Sequence, residues 1–127
     1  MGVFRTEIRL SPLDQSRFET VDAVVDTGAS YTTVARSVLD RLGIAPEVQR
    51  QFRLANGQIV NFEVGYARLR VADENGIVAV CFGPDDGPAL LGATSLQVLS
   101  LAVDPVSERL VPAVGFLLAT RSFRSIG

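Results

Sequence analysis

The segment VVDTGAS, residues 24–30, constrains the fold of this chain more than any other stretch. The apolar residues before Asp26 indicate a strand that enters a protein core, and this strand ends directly at the carboxylate. An acid at the end of a buried strand must be ionised and hydrogen-bonded, share its proton, or serve a chemical step, because burying an unpaired charge is costly. The segment therefore predicts a strand that presents one carboxylate at the start of a tight loop.

Length and composition predict a single globular domain spanning residues 1–127. Apolar residues make up 47% of the chain, charged residues 20%, and the net charge is −2, which is typical of folded domains. The basic residues are scattered, so we expect no nucleic-acid partner. The chain has no histidine, which excludes Ser-His-Asp and Cys-His catalysis and most zinc sites, and we expect neither a metal nor a cofactor. The lone Cys81 lies in an apolar segment and is expected to be a small hydrophobic residue.

The ends of the sequence contain no segment that predicts membrane insertion. The amino-terminal residues lack the apolar core of a signal peptide. The apolar run VPAVGFLLA, residues 111–119, is far shorter than the roughly 20 residues that a membrane helix needs. We therefore expect no membrane span and a cytoplasmic location, with this run forming a core strand or a strand at a subunit contact.

The remaining segments predict mostly strands with two short helices. The first helix is expected in ARSVLDRLGI, where Ala35, Val38, Leu39 and Leu42 share one apolar face and Gly43 suits the residue that ends a helix. The second helix is expected in ATSLQVL, residues 93–99.

Two turns are predicted between strands. Asn56-Gly57 is the dipeptide that best fits a type I′ turn, because both of its central residues need positive φ. It would join the strands of a hairpin, and a second turn is expected at residues 74–76, Glu-Asn-Gly. Two further strands flank Asp104-Pro105.

The chain contains an internal echo of its first motif. VVDTGAS and PALLGATS both indicate a strand, three small residues and then a helix. Only the first copy has an acid, and Leu90 takes the matching place in the second. The chain therefore supplies one carboxylate where a twofold arrangement would supply two.

Together these segments resemble the retropepsin-like aspartic proteases, the single-domain relatives of pepsin. DTGAS at residues 26–30 matches the catalytic loop, RLANGQI matches the flap hairpin, and CFGPDDGPALLG at residues 81–92 matches the strand, Gly-Pro loop and apolar-apolar-Gly motif. The resemblance covers roughly residues 17–113. It implies a mainly β fold, a closed acid-protease barrel of retropepsin type with one or two short helices and one domain per chain.

The resemblance also implies an activity. Such proteins are aspartic endopeptidases in which two identical chains each place one Asp-Thr-Gly at a twofold axis. Asp26 and its symmetry mate would form a dyad that shares a proton and activates a water against a peptide bond. The implied partners are a second copy of the chain and an extended polypeptide substrate.

The resemblance assigns roles to further residues. Thr27 and Gly28 would support the catalytic loop, and Leu90, Leu91 and Gly92 would form the second half of a psi-shaped motif beneath it. Contacts with substrate are expected from the end of the loop and from the flap. The residues concerned are Ala29, Ser30, Leu54, Ala55, Asn56, Gly57, Gln58 and Ile59.

Two departures from the family pattern bear on the dimer. Retroviral members commonly carry an acid at the position of Ser30 and an arginine at the position of Ala93, and both are missing here. The dimer would then be held differently, with GFLLATRSF, residues 115–123, as a candidate interface strand. Two other interpretations stay open: Asp26 as a residue that caps a helix or closes a turn, and a catalytically silent domain that binds extended peptides or dimerises a partner.

Overall fold

The computed structural model describes residues 4–115 as nine strands and two short helices. The elements in chain order are β1 Phe4–Ser11, β2 Glu19–Val25, β3 Thr32–Ala35, α1 Arg36–Arg41, β4 Val48–Arg53, β5 Ile59–Val71, β6 Glu74–Gly83, β7 Ala89–Leu91, α2 Ala93–Val98, β8 Leu101–Asp104 and β9 Arg109–Pro112. The predicted mainly β fold is confirmed. No helix within these residues is long and apolar enough to cross a membrane.

Six strands close into a barrel. Their order is β1-β2-β7-β3-β6-β5, and β1 pairs again with β5. The closure is short: it runs from Arg9 opposite Arg70, through Leu10 opposite Leu69, to Ser11 opposite Arg68. Strand β4 extends the sheet from β5, and β8 and β9 form a separate ribbon. The closed acid-protease barrel expected from the sequence is confirmed.

Alternating burial explains why these segments form barrel strands. In β1, Ile8 and Leu10 are buried whereas Glu7 and Arg9 are exposed, as the two-residue period of a strand requires. In β5 the same alternation buries Ala67, Leu69 and Val71. Helix α1 covers this core with Val38, Leu39 and Leu42. The hydrophobic effect thereby fixes which face of each strand points inward.

Helix α1 ends where the sequence predicts. Gly43 has φ +72°, a backbone conformation that glycine adopts without steric cost. The Gly43 N–H donates to the Asp40 carbonyl at 3.0 Å, and the Ile44 N–H donates to the Leu39 carbonyl at 2.9 Å. This pair of bonds is the Schellman arrangement that satisfies the last helical carbonyls. At the other end of the helix, Asp85 Oδ1 accepts the Ser37 N–H at 2.9 Å.

The predicted type I′ turn at Asn56-Gly57 is wrong, although the hairpin itself is present. Gly57 has φ +88°, whereas Asn56 is not among the residues with positive φ. The Gly57 N–H donates to the Leu54 carbonyl at 2.9 Å, so the loop is one residue longer than a type I′ turn. The Asn56 side chain instead accepts the Gln58 N–H at 2.9 Å.

The second predicted turn, at residues 74–76, is also misplaced. The chain reverses at Ala72 and Asp73, with φ +50° and +69°, and Glu74 already pairs with Val71. The pairing register of the buried residues on β5 and β6 explains why the turn lies at residues 72 and 73. Val71 and Val78 are both buried, and shifting the turn by one residue would expose one strand's apolar face.

The carboxyl-terminal interface strand proposed from GFLLATRSF begins at Gly115. Its residues 116–123 lie outside the described residues.

The barrel closure generates a stability prediction. Leu69→Ala removes a fully buried side chain at the β1–β5 pairing and should lower the free energy of unfolding by about 2–5 kcal/mol, through lost burial and a residual cavity. Urea denaturation followed by circular dichroism measures the effect.

Leu13→Ala is the matched control, because Leu13 is 46% exposed and its truncation should change stability by less than about 0.5 kcal/mol. Equal effects of the two substitutions would contradict the closure described here.

Candidate active site

Asp26 directly follows β2, and its backbone is fastened to β7. The strands β2 and β7 run parallel, with Val24 opposite Leu90 and Val25 opposite Leu91. The Asp26 N–H then donates to the Leu91 carbonyl at 3.0 Å. The carboxylate therefore starts from a fixed backbone position at the edge of the barrel core.

The loop that follows folds back on the Asp26 side chain. The Gly28 N–H donates to Asp26 Oδ1 at 2.9 Å, and the Ala29 N–H donates to the Asp26 carbonyl at 3.1 Å. A Cβ at position 28 would lie 3.2 Å from Asp26 Oδ1, tighter than most such contacts. Glycine therefore lets the main chain pass close beneath a half-buried acid that it also hydrogen-bonds.

The second copy of the motif packs against the first. A Cβ at Gly92 would lie 2.5 Å from the Tyr31 carbonyl oxygen, a separation that real side chains do not show, so only glycine fits. The Gly92 N–H donates to Thr32 Oγ1 at 3.1 Å. The same Thr32 hydroxyl shares a buried hydrogen bond of 2.6 Å with Ser95 Oγ. The predicted loop residues thus meet the ALLG segment, residues 89–92, in one interlocked unit.

Main-chain bonds join the two segments at Ser30 and Ala93, the two positions at which the sequence departs from the retroviral pattern. The Ala93 N–H donates to the Ala29 carbonyl at 2.8 Å, and the Thr94 N–H donates to the Ser30 carbonyl at 3.0 Å. These bonds need no charged side chain at either position. The absence of the acid and the arginine therefore leaves the connection within the chain intact.

A cleft of about 560 Å³, here called the hairpin cleft, lies between the loop and the β4–β5 hairpin. Five predicted substrate-contact or support residues line it: Gly28, Ala29, Ser30, Leu54 and Leu90. The other predicted flap residues, from Ala55 to Ile59, are exposed at the end of the hairpin and do not line it.

Aromatic residues that the sequence reasoning did not select form one wall of the hairpin cleft. The rings of Tyr31 and Phe52 meet edge to face with centroids 5.2 Å apart, and those of Phe52 and Phe62 do so at 5.8 Å. This cluster links the catalytic loop segment to the base of the hairpin and makes the wall apolar. Phe52 and Phe62 lie on either side of the predicted turn. That position in a hairpin is the only feature of the sequence that could have indicated their place in the cleft wall.

Cys81 also lines the hairpin cleft but is 3% exposed. Burial raises the pKa of its thiol to about 11, although a hydrogen bond with Thr33 opposes the shift. The thiol is therefore protonated at neutral pH and is a poor nucleophile. This environment suits the small hydrophobic residue that the sequence predicted.

A second cleft of about 450 Å³, here called the helix cleft, is lined by Asp26, which does not line the hairpin cleft. Apolar side chains from β1, α2 and the β8–β9 ribbon dominate its wall, among them Phe4, Leu96 and Val103, and Thr27 lies at its edge. Within residues 4–115, Asp26 is the only carboxylate that lines either cleft. In the same residues, no three potential metal ligands come together.

Fold and site together define a retropepsin-like aspartic protease. A family model described as "gag-polyprotein putative aspartyl protease" matches residues 17–98, and the chain belongs to that family. Among solved structures, the solution structure of Simian Foamy Virus (mac) protease is similar, with a TM-score of 0.53 and 19% identity. The alignment covers 73% of this chain and 91% of the viral one. A search of curated proteins found no match.

The interlocked unit generates a second stability prediction. Thr32→Val keeps the side-chain volume but leaves the Gly92 N–H and the Ser95 hydroxyl without their buried partner. The free energy of unfolding should fall by about 1–3 kcal/mol, measured by chemical denaturation.

Thr20→Val on β2 is the control, since Thr20 is exposed and its replacement should be close to neutral. A Thr32→Val chain as stable as the control would show that the hydroxyl does not hold the unit together.

Proposed function

We propose that this protein is an aspartic endopeptidase that acts as a homodimer, with Asp26 of each chain forming the catalytic dyad. The observation that carries this proposal is the single carboxylate. Among the described residues that line the helix cleft and the hairpin cleft, Asp26 is the only acid, and it lines the helix cleft. Leu90 stands where the internal echo would supply a second acid. Acid–base chemistry at this position therefore needs a second chain. The catalytic unit is one domain per chain, spanning residues 1–127.

The proposed reaction uses the two carboxylates in different protonation states. Two acids held close together share one proton, because ionising both is electrostatically unfavourable. The ionised Asp26 takes a proton from a water molecule whose oxygen adds to the peptide carbonyl carbon. The protonated Asp26 of the second chain donates its proton to the carbonyl oxygen. The resulting gem-diol collapses, the C–N bond breaks, and the amine leaves with a proton.

The loop geometry supports this role for Asp26. The Gly28 N–H donates to Asp26 Oδ1 and orients the carboxylate. The Leu91 carbonyl accepts the Asp26 N–H, and the Asp26 carbonyl accepts the Ala29 N–H, so the backbone is held on both sides of the acid. A catalytic acid benefits from such restraint, because small displacements of the reacting groups cost rate. Thr27 in the same loop would bond across the dimer axis.

The helix cleft supports the homodimer. It is apolar, adjoins Asp26 and is open in the single chain. Phe4, Leu96 and Val103 supply apolar surface around it. Burying these groups against a second copy would release water from them and favour association.

The hairpin cleft supports an extended polypeptide as substrate. Ala29, Ser30 and Leu54 lie along it, and the hairpin from Leu54 to Ile59 would close over the bound chain as a flap. The apolar wall formed by the aromatic cluster favours substrates with large apolar side chains next to the scissile bond.

The dyad generates a direct prediction. Asp26→Asn should reduce peptide cleavage by about 10²-fold or more, because the amide cannot accept the proton of the attacking water. The measurement is cleavage of a peptide library by mass spectrometry between pH 3 and 7, with analytical ultracentrifugation on the same samples.

Asp40→Asn is the matched control, because Asp40 is an exposed acid on α1; this variant should cleave at the wild-type rate. Retained cleavage by Asp26→Asn would refute the dyad. If the wild-type chain binds peptides but cleaves none, the silent peptide-binding domain replaces the enzyme.

The dimer generates a further prediction. Specific activity should fall when the protein is diluted below its dimer dissociation constant, because a single chain holds half of the dyad. Activity and sedimentation are measured over the same concentration series. Constant specific activity in samples that sediment as monomers would contradict the proposal.

A further inference from the structure

Four arginines that are scattered in the sequence gather on the outer surface of the barrel. Arg9 lies directly opposite Arg70 across the β1–β5 closure, and Arg68 lies opposite Ser11. Leu10 and Leu69, between them in the strands, are buried. By the alternation of a strand, the arginines therefore share the outward face.

The loop from Pro12 to Phe18 completes the group, here called the arginine cluster: Arg9, Arg17, Arg68 and Arg70. The Arg9 guanidinium lies 4.4 Å from the centre of the Phe18 ring. Arg68 Nε donates to the Leu13 carbonyl at 3.4 Å, and Arg17 donates to the Arg41 carbonyl at 2.8 Å. These neutral groups orient the side chains, and Asp14 in the same loop interacts electrostatically with Arg17.

No carboxylate in residues 4–115 forms an ion pair with the arginine cluster. The three ion pairs of this part of the chain use Arg5, Arg36 and Arg41 instead. Glu7 and Asp73 share an adjoining depression with Arg9 and Arg70. Like charges directly opposite on neighbouring strands are destabilising, so Arg9 and Arg70 repel each other across the closure in a protein whose net charge is −2.

We propose that the arginine cluster binds a phosphate group. The four arginines surround a cavity of about 190 Å³, which Ser11, Gln15 and Asn75 complete with further hydrogen-bonding side chains. Guanidinium groups bind oxyanions through paired N–H donors. A phosphate offers more acceptor oxygens than a carboxylate and so satisfies several arginines at once. The cavity is small, which favours free phosphate over a larger phosphate ester.

The phosphate site is separate from the catalytic groups. Phe4 pairs with Val25, next to Asp26, whereas Arg9 lies five residues further along β1, roughly 17 Å away at the rise of a strand. The cavity also shares no lining residue with the hairpin cleft or the helix cleft. A bound phosphate would therefore neutralise the closure and stabilise the barrel without occupying the substrate cleft.

The test is a titration with inorganic phosphate against sodium chloride of matched ionic strength. Binding is followed by NMR of the arginine Nε–H groups and by the thermal midpoint. The wild-type chain should bind saturably and melt at a higher temperature with phosphate. Affinity should fall about tenfold or more in Arg68→Gln/Arg70→Gln, since two charge-assisted contacts are lost. The matched control, Arg50→Gln on β4, should bind like the wild type.

The melting temperature in chloride alone separates binding from a structural role. Removing like charges should leave the double variant at least as stable as the wild type without phosphate, and a marked loss of stability would overturn the proposal. Equal phosphate affinity in all three chains, or no saturable binding, would also overturn it.

Two further ligands distinguish the source of the anion. A single-stranded oligonucleotide carries phosphate diesters, and a glutamate peptide carries carboxylates. Free phosphate that competes with the oligonucleotide for the same arginine signals supports the proposal. Binding of the oligonucleotide alone would overturn the small-anion site, as would a glutamate peptide that binds more tightly than phosphate. None of these measurements depends on proteolytic activity.

Discussion

The hydrogen bond from the Asp26 N–H to the Leu91 carbonyl is the contact on which the rest of the site depends. It continues the parallel pairing of β2 and β7 by one residue, to the point where the acid leaves the sheet. Around it, Gly92 passes so close to the Tyr31 carbonyl that no side chain fits. The buried Thr32 and Ser95 hydroxyls satisfy each other and the Gly92 N–H. A carboxylate can sit at this edge because every buried polar neighbour already has a partner.

The two copies of the motif have the same local path but different chemistry. The first presents a carboxylate that a main-chain N–H orients. The second presents Leu90, which lines the apolar hairpin cleft. The proposed homodimer rests on this division, because each chain would provide a rigid support and one reactive group. The apolar helix cleft beside Asp26 is the surface on which a second chain would complete the pair.

Short sequence patterns correctly predicted the features that depend only on neighbouring residues in the chain. The end of α1 at Gly43 follows from the freedom of glycine at positive φ, and the strand before Asp26 follows from its apolar run. The chain reversal at Ala72 and Asp73 does not, because the register of buried residues across β5 and β6 decides it.

Groups assembled from distant segments were equally invisible in the sequence. The aromatic wall joins Tyr31 to Phe52 and Phe62 through the folded hairpin. The arginine cluster forms because the closure register sets Arg9 against Arg70.

Strands β1 and β2 form a hairpin whose strand pairing determines how firmly it is attached to the barrel. Its strands pair with each other from Phe4 to Leu10, but only short ladders tie them to β5 and β7. Ile8, Leu10 and Ala23 of this hairpin are nevertheless buried in the core, so the hairpin cannot detach without exposing them. The position of Asp26 at its end is therefore as stable as the core itself.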